Sequence, residues 1–149
     1  MKIAVALAAC AVLSGVAASN SQAAANLTKR QTIAKGDAIC SATIGELARL
    51  APTVSMASIV AKGDRWLAIN RRTLRKLRAL NEPAADRVQF RKLTSLADRS
   101  INKGIVGVIA GARTRNPATF AAAARRAQAM INAAHRAARA YGFRACARW

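Results

Sequence analysis

Acidic residues are scarce in this chain. Six Asp and Glu face 25 Lys and Arg, for a formal net charge of +19 in 149 residues. Three prolines and eight glycines leave too little turn chemistry for a many-stranded sandwich or barrel. One histidine and six scattered acids supply few parts for acid–base catalysis, which needs close titratable groups in unlike environments. Aromatic residues make up 4%, too few to offer a stacking platform for bases, so sequence-specific nucleic acid is not an expected partner. What is abundant is apolar character, at 53%, with alanine the commonest residue. That excludes a disordered chain, and a length near 150 suits a single domain with its own core.

Residues 1–25 read as a secretory signal. Lys2 gives the charged start, residues 3–16 are apolar apart from Ser14 and Gly15, and Ala23, Ala24 and Ala25 form a small-residue cleavage site. The apolar run falls short of the ~20 residues needed to cross a bilayer. Residues 26–149 are then the mature helical domain, with no transmembrane helix. Leu7-Ala8-Ala9-Cys10 has the form of a lipoprotein acylation site, but the apolar run continues past Cys10, which favours a cysteine within the signal. Removing the signal leaves Cys40 and Cys146, and a cysteine pair in an exported chain points to a disulfide. Neither a metal site nor haem attachment fits: ligands are too few, and no Cys-x-x-Cys-His occurs.

Four helices are expected. The first opens at Thr28, where Thr28-Lys29-Arg30-Gln31 has the capping-box form, and ends at Ala51-Pro52. Ile33, Ile39 with Cys40, Ile44, Leu47 and Leu50 mark its apolar side. The second runs from about Thr53 to Leu80, with a stripe including Met56, Ile59, Val60, Trp66, Leu67, Ile69, Leu74 and Leu77. The third runs from about Ala84 to Ala112 and includes Val88 on its apolar side. Gly104, Gly107 and Gly111 lie within it and are read as points of tight packing, since glycine otherwise weakens a helix by about 1 kcal/mol. Asn116-Pro117 opens the fourth, and Gly142 closes it after Tyr141. Short connections join antiparallel neighbours, so the expected architecture is all-α: an up-down-up-down four-helix bundle closed by one disulfide. Residues 143–149 would fold back along the first helix to reach Cys40.

The segments Ile33-Ala34-Lys35-Gly36-Asp37-Ala38-Ile39-Cys40 and Tyr141-Gly142-Phe143-Arg144-Ala145-Cys146 resemble a group of small exported helical proteins. Its members, often lipoproteins, occur in high-GC Gram-positive bacteria. They carry a Lys-Ala-Asp-Ala-Ile-Cys-like segment early and a Tyr-Gly-hydrophobic…Cys-like ending. Gly36 stands where the group usually has alanine, and the strong positive charge departs from its acidic or neutral members. The resemblance implies the helical fold and the Cys40–Cys146 pair. It implies no activity.

Chemistry is thin elsewhere. The acids sit near basic residues in sequence and read as solvated ion pairs. His135 lies beside Arg136 and Arg139, and no acid nearby in sequence orients it. Phosphate loops and nucleophile elbows are absent. Arginine, 18 residues against seven lysines, is the feature with functional content, because its planar fork grips phosphate or carboxylate at two points. Arg71, Arg72, Arg75, Lys76 and Arg78 crowd the second helix and are the candidate anion-binding residues. The expectation is a monomeric, exported, non-enzymatic module without cofactor, contacting anionic polymers or lipid headgroups. The alternative is a small helical enzyme with His135, Tyr141 and an acid such as Asp37 converging inside the bundle.

Overall fold

The computed structural model describes residues 27–50 and 55–149, and all regular structure among them is helical. The expected signal, its cleavage site, Cys10 and the first helix's stop at Ala51-Pro52 lie outside the described residues. So does the expected start of the second helix at Thr53.

Helix α1 spans Lys29–Leu50. Its start follows the capping box: the Gln31 amide donates to the Thr28 hydroxyl at 3.3 Å, and the Thr28 amide donates to the Gln31 side-chain oxygen at 2.9 Å. Its buried residues are Thr32, Gly36, Cys40 and Thr43, not the Ile and Leu side that the periodicity favours, which is only half-buried. The reason is close approach. Small residues let α1 meet its neighbours along their backbones, and the Thr43 and Thr73 hydroxyls bond across the contact at 2.6 Å.

Helix α2, Met56–Arg78, starts on a Ser55 cap. Ser55 and Ser58 form a reciprocal capping box, each amide donating to the other's hydroxyl. Ile59, Ile69, Leu74 and Leu77 are buried on it, whereas Val60 is 42% exposed and leaves the expected stripe. A single 3₁₀ turn, Ala84–Asp86, leads into α3, Arg87–Arg99. Val88 is 83% exposed, because it sits at the outward edge of that first turn. A π-helical segment, Ser100–Ile105, joins α3 to α4, Val106–Arg113, so the third helical run is continuous but widened in the middle. The wide turn sends Ser100, Ile101, Gly104 and Ile105 all inward.

Helix α5 spans Pro117–Tyr141. The Asn116 side chain accepts from the Ala118 and Thr119 amides, and Gly142 closes the helix at φ 114°, a conformation glycine adopts without strain. Alanines 123, 127, 134 and 138 are its buried positions above Tyr141. Gly104 packs on Ala127 and Gly111 on Ala123, but nothing lies within 4 Å of where a Gly107 side chain would start. Gly107 therefore departs from the expected tight packing.

Helix α1 packs on α2, α2 on the third run, and the third run on α5. One core gathers Leu77, Phe90, Leu93, Tyr141 and Phe143 around the disulfide. The other gathers Ile59, Leu74, Ile101, Ile105 and Ile109, and Trp149 packs against both. No described helix is long and apolar enough to cross a membrane.

Candidate functional site

The segments 33–40 and 141–146 meet in space. Cys40 and Cys146 form a disulfide with Cα atoms 5.1 Å apart. One helical turn before Cys40, the Asp37 carboxylate accepts backbone N–H groups from Arg144, Ala145 and Cys146 at 2.8–3.1 Å. Three successive amides converging on one anion form a nest, with this carboxylate filling it. Phe143 lies over Gly36, where an added Cβ would stand 2.4 Å from the ring. Phe143 also stacks on Tyr141, with ring centroids 5.1 Å apart. Gly36, Asp37 and Cys40 thus each receive a different part of the tail: ring, backbone and sulfur.

That arrangement engages the residues of the enzyme alternative separately. Asp37 is occupied by the tail amides. The His135 ring Nε2 bonds the main-chain oxygen of Trp149. Tyr141 is 1% exposed, packed edge-on against Phe90 at 5.6 Å and crossed by Lys29 at 4.9 Å. Burial, and then the charges of Asp86 and Glu82, push its phenol up to about 12, a rise the Thr32 hydroxyl tempers. No hydrogen bond joins the three side chains to one another. Among the described residues no cluster of His, Cys, Asp or Glu could hold a metal ion.

The candidate anion-binding residues divide by helix face. Arg72 points to α1, its Nη2 donating to both Glu46 carboxylate oxygens at 2.6 and 2.7 Å. Arg71 and Arg78 face the third run. Arg71 Nε donates to Asn102 at 2.9 Å, Asn102 donates to Asp98 at 2.8 Å, and Arg78 lies 3.5 Å from the same carboxylate. The π segment supplies Asn102, and with it the link between the two arginines. Arg75 lies between them on the same face, and neither it nor Lys76 has an acid within ion-pairing distance.

All six acids are engaged within the protein, mostly by partners distant in sequence and not by the neighbouring cations that the sequence suggests. Five join ion pairs, as Lys29–Asp86, Arg72–Glu46, Arg78–Asp98, Arg87–Glu82 and Arg113–Asp64. The sixth, Asp37, holds the tail. The described residues contain 24 of the 25 basic side chains, all but Lys2. Subtracting those five partners leaves 19 cations among the described residues with no acid in ion-pair range.

Sequence reasoning missed a second basic cluster. A groove of about 290 Å³ between α1 and α2 is lined by Glu46, Arg49, Leu50, Lys62, Arg65 and Ile69. The only signal was a pair of three-residue spacings, Glu46 with Arg49 and Lys62 with Arg65. Nothing local says that those two turns face each other. The Arg72 hydrogen bond holds the Glu46 carboxyl below its ordinary range, and desolvation opposes it. The charges of Arg72, Arg49 and Arg65 add to the lowering.

No protein-family model, curated protein or solved structure matches this chain.

Proposed function

We propose that this protein is an exported, non-enzymatic helical module that holds anionic polymers or lipid headgroups of the cell envelope through its arginine-rich surface. The observation that carries the proposal is the exhaustion of its acids. Each one is engaged by a cation or by tail amides, so 19 cations remain on a body whose fold does not use them as ion-pair partners. Such a surface attracts polyanions over a distance of about a Debye length, and the attraction fades with salt.

The anchoring of α2's arginines adds preorganisation. Asn102 and Asp98 steady Arg71 and Arg78 on either side of Arg75. Less side-chain freedom is then lost when a ligand is bound. The disulfide agrees with an extracytoplasmic location, where such bonds persist, and residues 1–25 are read as the cleaved signal that takes the protein there.

Up-down-up-down is the bundle order proposed. Paired contacts support it: on α1 and α2, Thr43 meets Thr73 and Glu46 meets Arg72. Between α2 and the third run, Asp64 meets Arg113, Arg71 meets Asn102 and Arg78 meets Asp98. Residue numbers rise on one helix as they fall on the other. The protein is proposed to act as a monomer.

Binding to immobilised heparin, a model polyanion, tests the function. The expected result is retention at physiological ionic strength and an affinity that falls linearly with the logarithm of salt concentration. Free passage through the column at about 0.15 M salt would refute it.

A further inference from the structure

The α1–α2 groove has a composition that suits one compact, doubly charged ligand. Arg49, Lys62 and Arg65 line it, and Arg72 borders it through Glu46. Four cations and one carboxylate leave a local charge of 4 − 1 = +3. The carboxylate is already held at both oxygens by Arg72, so it competes weakly for the others. The Lys62 ammonium donates to the Leu50 carbonyl at 2.8 Å, which fixes its position at the end of α1 and leaves two of its N–H groups unspent. The Arg49 and Arg65 guanidinium groups act on the Glu46 charge from a distance but make no side-chain hydrogen bond and no close ion pair, so both forks are open to contact with ligand oxygens. Ile69 and Leu50 give the groove an apolar border. At about 290 Å³ it lies at the small end of ligand pockets, the size of a single head group and not of a polymer segment.

We infer that this groove is a phosphate-monoester site, with Arg49, Lys62 and Arg65 as its ligand-binding residues and Arg72 as the residue that keeps Glu46 from occupying them. The inference deepens the proposed anion-binding role and rests on it for its biological setting, but not for its chemistry. A phosphate monoester carries close to two negative charges at neutral pH and three acceptor oxygens, which three separate donors can share. A carboxylate has two oxygens for three donors and one charge for three cations, and would leave two cations unmatched.

The full chain is titrated with inorganic phosphate at constant ionic strength, followed by calorimetry or phosphorus NMR. One saturable site is expected. Arg65→Gln and Lys62→Met should each weaken it about tenfold, the effect of one lost hydrogen bond to a charged group. Glu46→Gln should tighten it severalfold, a gain that a site not built around this groove would not show. Lys92→Gln, a distant exposed cation, should leave it unchanged. Absence of saturable binding at millimolar phosphate would overturn the inference, as would equal losses in Arg65→Gln and Lys92→Gln. Repeating the series on neutral vesicles doped with a phosphomonoester lipid separates the two sources of ligand. The same ranking there assigns the site to a lipid headgroup, and a ranking confined to inorganic phosphate assigns it to a soluble ligand. Heparin retention by Arg65→Gln is read alongside. If it persists while phosphate binding is absent from the parent chain, the groove assignment fails and the broader anion-binding role stands.

Discussion

Replacing Asp37 by alanine should loosen the protein's tail more than any other substitution on α1's exposed or half-buried side. The carboxylate receives three backbone N–H groups, from Arg144, Ala145 and Cys146. Ala145 and Cys146 are buried and Arg144 is exposed. Hydrogen bonds to a charged acceptor contribute about 1.5–3 kcal/mol each, and a buried donor left alone forfeits its solvation as well. Water can replace the carboxylate at Arg144 but only partly at the other two. Because the three bonds share one acceptor, their energies do not add, and a total loss of about 3 kcal/mol is expected. For a chain of this size that lowers the melting temperature by about 10 °C. Asp37→Asn keeps one acceptor oxygen without the charge and should lose roughly half as much. Thermal unfolding followed by circular dichroism under oxidising conditions reads both. A loss below about 1 kcal/mol in Asp37→Ala, the size of one ordinary neutral hydrogen bond, would refute the nest as a source of stability.

Other expectations can be checked in the same preparation. Gly107→Ala should stabilise the protein by about 0.5–1 kcal/mol, since α4 gains helix propensity and the new methyl meets nothing within 4 Å. Gly36→Ala should destabilise it by at least as much, because its methyl would stand 2.4 Å from Phe143; urea unfolding of the two variants gives both signs. The chain has one tyrosine, so absorbance at alkaline pH reports Tyr141 alone. Its folded-state phenol is raised to about 12 from 10.0, so its contribution is complete below pH 10 and is lost as pH rises towards 12. A titration midpoint near 10 in folded protein would contradict its burial. Reducing Cys40–Cys146, 106 residues apart, should cost about 4–5 kcal/mol by the loop-closure relation, measured by denaturant unfolding with and without reductant.

Local signals were the legible part of this fold. Thr28 with Gln31, Asn116 with Pro117, and Gly142 each act within a few residues, and each does in space what its chemistry implies. The Cys40–Cys146 pair was legible because only two cysteines remain once Cys10 is assigned to the signal. Long-range effects were hidden. Asp37 reads as a surface acid until the tail, more than 100 residues later, arrives over it. The buried side of α1 runs through Thr32, Gly36 and Thr43, which no hydrophobic pattern marks, because backbone proximity and paired hydroxyls do the work of large side chains there. The π segment is invisible in periodicity since its wider turn still reads as helix. Of the candidate cations, Arg75 and Lys76 stayed unpaired, but the partners of Arg71, Arg72 and Arg78 come from other helices. The groove of Arg49, Lys62 and Arg65 needed the α1–α2 register before it could exist on paper.

Two charge-matched triple variants weigh a built anion-binding face against a merely basic composition. One replaces Arg71, Arg75 and Lys76 by glutamine on α2; the other replaces Arg125, Arg126 and Arg136 on α5. Each removes three exposed cations, so net charge falls equally. If α2 is the contact surface, its variant elutes from heparin at clearly lower salt than the α5 variant. Identical elution would show that the total charge alone governs retention, and the assignment of function to α2 would fail.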